Sequence, residues 1–142
     1  MGHLPPKVLR AWLRGGAVAT ICAGLLALGA SWPPTAAPWT VAMDLVHWPL
    51  DGHPGEFDFA ARASSAMLGG VMVGWGTMLL LIPYRPESRP ALLGGLLAWF
   101  VADSLGSLAS GFAGNLVVNV VFLLVLAPPI VWLKPGHSPP TG

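Results

Sequence analysis

Asp103 is the residue whose type and position most directly suggest chemistry. It lies in the stretch LLAWFVADSLGSLASG, residues 96–111, where it is the only ionisable side chain. A carboxyl group among apolar residues is costly in lipid unless it faces other polar groups, so Asp103 should point into the protein. Such an acid can clasp two helices, pass a proton or contact a ligand. We favour the clasp, because a single acid without a second titratable group nearby makes a poor proton relay.

The candidate partners of Asp103 are polar residues on neighbouring apolar segments. Asn119 is the best placed, because its amide offers both a donor and an acceptor at a similar depth. Desolvation favours the neutral acid, so we expect neutral Asp103 to be hydrogen-bonded to Asn119. An ion pair with Arg62 is disfavoured, because helical side chains tilt toward the helix N-terminus and these two would lean apart. Ser65, Thr20 and Asn115 are the remaining polar candidates for this site.

The segment 32–62 contains residue types that bind divalent metals, namely His47, Asp51, His53, Glu56 and Asp58. Their spacing matches no HExxH motif, and the two histidines are six positions apart. We therefore predict a solvated acidic segment, with His47 and His53 as weak candidates for metal ligands, and no cofactor. The sequence also lacks a GxSxG motif and a phosphate-binding GxxxxGK[ST] loop, so no catalytic set and no enzyme are predicted.

The composition is typical of a membrane protein. The 142 residues are 54% hydrophobic and only 9% charged, with a mean hydropathy of +0.68. A soluble domain carries about 25% charged residues. A net charge of +1 without a basic patch argues against nucleic-acid binding. The single cysteine, Cys22, excludes an intramolecular disulfide.

Four segments are long and apolar enough to cross a bilayer. The sequence therefore predicts an all-α, four-helix transmembrane bundle in one membrane domain over residues 1–142, with spans at 11–31, 63–82, 91–110 and 116–133. Helices are expected because lipid-embedded backbone groups must be hydrogen-bonded within the segment. The first span also has features of a signal peptide, since basic residues precede it. Its length and the proline-rich sequence after it favour a retained helix.

Basic residues predict the orientation in the membrane. Six of them fall on one side of the predicted bundle: Lys7, Arg10, Arg14, Arg85, Arg89 and Lys134. Only Arg62 falls on the other side. By the positive-inside rule, both termini should be cytoplasmic.

An amphipathic helix is expected in the outer segment between the first two spans. One stripe is mostly apolar: Trp39, Ala42, Met43, Val46 and Leu50. The opposite stripe is polar: Thr40, Asp44, His47 and Asp51. Pro38 suits its first turn, and the Pro49 to Gly52 region should end it. Such a helix would lie on the outer leaflet or cap the bundle.

Small residues recur every four positions on the second and third spans. The repeated positions are Gly70 and Gly74 on the second span and Gly94, Ala98, Ala102 and Gly106 on the third. Small residues let helices approach closely in lipid, where packing drives association. We predict that they pack the second span against the third. A homodimer face is the alternative.

The pattern RASSAMLGGVMVGWGTMLLL, followed by a basic turn and RPALLGGLLAWFVADSLGSLASG, resembles an uncharacterised family of small bacterial inner-membrane proteins. This domain of unknown function has four spans and a layout similar to the DoxX-like group. In that family an arginine opens the second span and a Gly-Gly pair follows, which matches Arg62, Gly69 and Gly70. The third span usually carries a basic residue and the fourth an acidic one, where this sequence has Asp103 and Asn119. The resemblance implies a fold and an inner-membrane location rather than an activity.

These observations lead to two hypotheses about function. The first is a non-enzymatic accessory or stabilising subunit of a larger membrane complex, in contact with the lipid bilayer and with a membrane-protein partner or further copies of itself. The alternative is a small-molecule or lipid-binding bundle whose polar intramembrane pocket contains Asp103, Asn119 and Arg62. The DoxX-like layout implies that such a bundle would serve as the membrane partner of a redox enzyme.

Overall fold

The computed structural model describes residues 4–47 and 57–132, which are helical with short connections and contain no strand. The α-helices are α1 (Pro6–Gly29), α2 (Ala37–His47), α3 (Phe59–Leu81), α4 (Arg89–Ala109) and α5 (Asn115–Val131). Short 3-10 turns at Pro33–Thr35 and Pro86–Ser88 precede α2 and α4. The all-α class predicted from the sequence is confirmed.

Within residues 4–47 and 57–132, three helical segments are long and apolar enough to cross a membrane: Pro6–Gly29, Phe59–Leu81 and Pro86–Ala109. The fourth, α5, is apolar but has only 17 residues. A bilayer core about 30 Å thick needs about 20 residues of helix, with 17 at the short end of the range. The prediction of a membrane protein with transmembrane helices is therefore supported by α1, α3 and α4.

Local sequence signals set the helix ends. The carboxyl group of Asp58 accepts a hydrogen bond of 2.8 Å from the Ala61 N–H, which caps the start of α3. Proline occupies the first turn of α1 at Pro6 and of α4 at Pro90, where its missing N–H costs nothing. With these caps, α1 and α3 begin at Pro6 and Phe59, before the predicted starts at 11 and 63, and α4 begins at Arg89, near the predicted 91.

The turn between α4 and α5 is built around Gly111, which has a φ of 77°. The Phe112 N–H donates to the Ser107 carbonyl at 2.8 Å, and the Gly111 N–H donates to the Leu108 carbonyl at 3.2 Å. This is the Schellman arrangement, which satisfies the last carbonyls of a helix and needs a left-handed residue. The turn folds α5 back against α4 in the antiparallel direction.

We expect Gly111→Ala to lower the free energy of unfolding by about 1–2 kcal/mol, the cost of holding an alanine in the left-handed region. No neighbouring atom lies within 4 Å of an added Cβ there, so the cost should come from the backbone alone. Thermal unfolding in mild detergent, followed by circular dichroism, measures it. Gly106→Ala is the control, because Gly106 is helical and equally open. Equal effects at both positions would contradict the proposed role of the turn.

Glycines bring α1 and α3 into close antiparallel contact. A Cβ added to Gly69 would lie 2.5 Å from the Gly24 carbonyl oxygen and 2.5 Å from the Leu28 backbone nitrogen. One added to Gly76 would lie 2.8 Å from the Ala17 carbonyl oxygen. Side chains at these positions would force the two backbones apart.

The predicted packing of the second span against the third through small residues is not what the structure shows. All six residues are exposed: Gly70, Gly74, Gly94, Ala98, Ala102 and Gly106. No atom lies within 4 Å of a Cβ added at any of the four glycines among them. Successive helical residues point about 100° apart, so Gly69 and Gly70 face different directions. Small residues at every fourth position identify one face of a helix, but they do not determine which face packs against a neighbouring helix.

One apolar core joins α1, α3, α4 and α5. Its buried members are Leu13, Ala17, Leu79, Leu92, Leu96, Leu126 and Ile130. Large rings extend the core: Trp75 of α3 lies 5.6 Å from Trp99 of α4, and Trp99 lies 6.1 Å from Phe122 of α5, between ring centroids. The contact between α3 and α4 is therefore made by large side chains.

The antiparallel helices give the protein two different ends. We call one the basic end, because the start of α1, the end of α3 and the start of α4 bring Lys7, Arg10, Arg14, Arg85 and Arg89 there. The opposite end, the α2 end, holds α2 and the α4–α5 turn. There the His47 ring stacks on Phe112, with centroids 6.0 Å apart, and the Val46 carbonyl contacts Gly114.

The helix expected in the outer segment is present as α2, with Pro38 in its first turn. Trp39, Ala42, Met43 and Val46 are half-buried, as are Thr40 and Asp44 of the predicted polar stripe, whereas His47 is exposed. Leu50 and Asp51 lie outside the described residues.

Candidate functional site

The site lies on the seam between α4 and α5. On α4 the seam residues are Leu92, Leu96, Trp99, Asp103 and Ser107, and on α5 they are Asn115, Asn119, Phe122 and Leu126. Steps of three and four residues keep such positions on one helix face. The seam is apolar toward the basic end and polar toward the α2 end.

Asp103 is the centre of the polar part of the seam. Its Oδ2 accepts a hydrogen bond of 2.6 Å from Asn119 Nδ2 and one of 2.9 Å from Asn115 Nδ2. Asn115 is the first residue of α5, and Asn119 lies one turn further along. Both amides therefore point at the same carboxyl oxygen from the facing helix.

Two serines complete the network. Asn115 Nδ2 also donates to Ser107 Oγ at 2.9 Å, and Asn119 Nδ2 donates to Ser104 Oγ at 3.2 Å. An asparagine amide nitrogen carries two hydrogens, so both hydrogens of each amide have an acceptor. We call this set the polar clasp: Asp103, Ser104, Ser107, Asn115 and Asn119.

The polar clasp is partly shielded, because Asp103 and Asn115 are half-buried and its other three members are buried. Asn119 is 2% exposed, and Ser104 and Ser107 are each 7% exposed. Among the described residues, no buried side-chain nitrogen or oxygen lacks a hydrogen-bond partner. Because an unpaired polar group in a low-dielectric interior is costly, this pairing stabilises the hairpin.

The structure brings together three of the residues expected at the site, Asp103, Asn119 and Asn115. Sequence reasoning missed Ser104 and Ser107. Their signal was the spacing from Asp103: Ser107 lies one turn away on the same face, and Ser104 is adjacent to Asp103. Serine is common in transmembrane helices, so this spacing becomes informative only when the facing helix supplies donors.

Arg62 and Ser65 do not belong to this network. Arg62 Nε donates to the Phe57 carbonyl at 3.1 Å, at the start of α3. Ser65 is buried one turn before Gly69, on the side of α3 that packs against α1. Of the expected set, Asp103 and Asn119 are joined by a hydrogen bond, whereas Arg62 bonds to the Phe57 carbonyl instead.

The candidate metal ligands of the outer segment that the structure describes take part in different contacts. Asp58 caps α3 and His47 stacks on Phe112, whereas Asp51, His53 and Glu56 lie outside the described residues. Within residues 4–47 and 57–132, no group of three or more His, Cys, Asp or Glu residues could hold a metal ion.

The polar clasp can hold α4 and α5 in register. Hydrogen bonds between transmembrane helices contribute about 0.6–2 kcal/mol each, and here two donors from α5 converge on one acceptor of α4. A slide of α5 by one residue would turn both amides away from Asp103. The network therefore specifies the register of the hairpin.

The resemblance to four-span bacterial membrane proteins rests on Arg62, Gly69 and Gly70. In the structure Arg62 lies in the first turn of α3, Gly69 packs against α1 and Gly70 is exposed. Membership of that family stays a prediction. No protein-family model, no curated protein and no solved structure matches the chain.

Proposed function

We propose that the protein is a non-enzymatic, four-helix transmembrane bundle that acts as an accessory subunit by packing against a transmembrane helix of another protein. The observation that carries this proposal is the outward position of the six small residues on α3 and α4. We call the surface that they form the α3–α4 groove: Gly70, Gly74, Gly94, Ala98, Ala102 and Gly106.

The positions of Trp75 and Trp99 support a single groove. The two rings meet between antiparallel helices, and Gly74 and Ala98 each precede one of them by a residue. In an α-helix, the preceding residue points about 100° away from the one that follows it. Because the two helices are antiparallel and both tryptophans point at the other helix, Gly74 and Ala98 point to the same side of the helix pair. The other small residues follow at steps of four and extend that side along both helices.

The use of glycine inside the chain also supports a helix as the occupant. Gly16, Gly24, Gly69 and Gly76 all face another helix at distances that a side chain would disturb. In lipid, small residues favour close backbone approach, because no hydrophobic drive between helices exists there. The groove offers the same residue types at helical spacing on the outside of the bundle.

The polar clasp favours a structural role over a binding pocket. All four amide hydrogens of Asn115 and Asn119 are accepted within the hairpin. The alternative, a ligand-binding bundle that serves a redox enzyme, needs polar groups that can turn to a ligand. It therefore has less support than the accessory subunit.

The proposed bundle has four transmembrane helices, because α5 is counted as a span together with α1, α3 and α4. As a helix of 17 residues, α5 is about 26 Å long, close to the thickness of the hydrocarbon core. If the basic end faces the cytoplasm across a bacterial inner membrane, α2 lies at the outer surface of that membrane, as an interfacial or capping helix.

The test is to add bulk to the groove. We expect Ala98→Phe and Ala102→Phe to lower recovery of the partner about tenfold or more, because overpacking costs about 1–3 kcal/mol. The measurement is purification in mild detergent from native membranes, with quantitative mass spectrometry of co-eluting proteins. Val121→Phe on α5, which is 53% exposed, is the matched control and should leave recovery unchanged.

Two results would overturn the proposal. One is a stable monomer whose loss leaves every membrane complex intact. The other is recovery of only further copies of the same chain, which would make the groove a homo-oligomer face.

A further inference from the structure

A half-open cleft of about 380 Å³ lies at the basic end, away from both the polar clasp and the α3–α4 groove. It is formed by the first half of α1, the end of α3 and the connection that follows. Its lining residues are Arg10, Leu13, Arg14, Leu79, Leu80, Leu81, Ile82, Pro83, Tyr84 and Arg85. The cleft thus combines cationic side chains with an apolar wall.

The lining is strongly positive. It contains three arginines and no acidic residue, and Glu87, two positions after Arg85, does not line the cleft. Arg10 and Arg14 lie one turn apart on α1, where like charges repel. An anion in the cleft would relieve this repulsion.

Tyr84 fixes one wall of the cleft. Its hydroxyl donates to the Pro129 carbonyl of α5, so the ring is held in place and the hydroxyl is already used. Burial raises the pKa of Tyr84, and the nearby Arg10 charge opposes that rise. Among the described residues that line the cleft, the donors left for an anion are therefore the arginines.

Tryptophan rings at the basic end indicate that the cleft lies at the depth of lipid headgroups. Trp12 and Trp132 meet edge to face at this end, with centroids 6.0 Å apart, and tryptophan rings prefer the membrane interface. Arg10, Arg14 and Arg85 are exposed, whereas Leu13 and Leu79 are buried on the wall beneath them. The lining also contains Leu81, which is 77% exposed, so a phosphate at the arginines would leave an acyl chain free to lie along it.

We propose that this cleft binds the phosphate group of an anionic phospholipid through Arg10, Arg14 and Arg85. Arginine suits this task because its planar guanidinium binds phosphate oxygens in a bidentate manner. Basic pockets between transmembrane helices recognise anionic headgroups in the same way. The proposal does not depend on the partner helix, because the cleft involves α1 and the end of α3.

The test uses the intact chain in detergent, with lipid binding measured by native mass spectrometry. The probes are phosphatidylglycerol, phosphatidylcholine and inorganic phosphate, each added alone. Phosphatidylglycerol should bind more tightly than phosphatidylcholine. The variant Arg10→Gln/Arg14→Gln/Arg85→Gln should weaken phosphatidylglycerol binding about a hundredfold, at about fivefold for each arginine.

Two single variants serve as controls. Arg89→Gln removes a charge four positions after Arg85 but outside the lining, and Arg62→Gln removes one at the α2 end. Both should bind phosphatidylglycerol as the unaltered protein does. Circular dichroism of the triple variant should show intact helices, because all three arginines are exposed.

Three outcomes would overturn the proposal. The triple variant could bind phosphatidylglycerol as well as the unaltered protein does. Arg89→Gln could weaken binding by the roughly fivefold expected for one lining arginine, which would show a diffuse surface charge rather than a site. Inorganic phosphate could bind while phosphatidylglycerol binds no more tightly than phosphatidylcholine, which would identify a site for the free anion instead.

Discussion

Gly69→Ala is expected to lower the free energy of unfolding by about 1–3 kcal/mol, as overpacking of a tight core does. The added methyl group would lie 2.5 Å from backbone atoms of Gly24 and Leu28, and backbone cannot rotate away as a flexible side chain can. The pair α1 and α3 would have to separate along its length. Gly69→Leu should prevent the two helices from pairing at all.

Gly70→Ala is the matched control for this prediction. Gly70 is adjacent in the chain, has the same residue type and lies in the same helix, but nothing lies within 4 Å of its added Cβ. Its replacement by alanine should be neutral or slightly stabilising, since glycine is a poorer helix former. Unfolding in mild detergent, followed by circular dichroism, compares the two. If Gly70→Ala destabilises as much as Gly69→Ala, the contact between α1 and α3 is misassigned.

Asp103→Leu is expected to lower the free energy of unfolding by about 2–4 kcal/mol, because one hydrogen of each facing amide loses its acceptor and each unpaired donor costs about 1–3 kcal/mol. Asp103→Asn keeps a carbonyl oxygen as acceptor and should cost less than about 1 kcal/mol. The same unfolding measurement separates the two variants.

A compensating variant gives this prediction a control. Asp103→Leu/Asn115→Leu/Asn119→Leu removes donors and acceptor together, so it should be more stable than Asp103→Leu alone. The serines left behind can bond to their own helix, as Thr20 does with the Gly16 carbonyl at 2.9 Å. If Asp103→Asn keeps the fold but loses a bound small molecule, the carboxyl group is a ligand contact and the polar clasp is not its main role.

The helices were predictable because each depends on properties of a single segment. Span length follows from hydropathy, whereas the starts of α3 and α4 also depend on Asp58 and Pro90, which hydropathy does not take into account. The pairing of Asp103 with Asn119 was predictable for a related reason. A polar group within an apolar helix needs a partner at the same depth, and few residues qualify.

The choice of packing face was not predictable, because it depends on two helices at once. Gly69 and Gly70 are equivalent by residue type and almost equivalent by position, and only the match with Gly24 separates them. The contact of α2 with the α4–α5 turn is of the same kind, since it joins Val46 and His47 to Gly114 and Phe112. Neither contact has a signal in the periodicity of one segment.

Photo-crosslinking from the α3–α4 groove tests most directly whether this surface binds a partner helix. Cys22, which is exposed, is first replaced by alanine, and one cysteine is then placed at position 98, 102 or 121. A maleimide-linked benzophenone on that cysteine is activated in native membranes. We expect adducts with a different membrane protein from positions 98 and 102 and none from position 121. Equal adducts from all three positions, no adducts, or adducts with the same chain alone would contradict the proposed function.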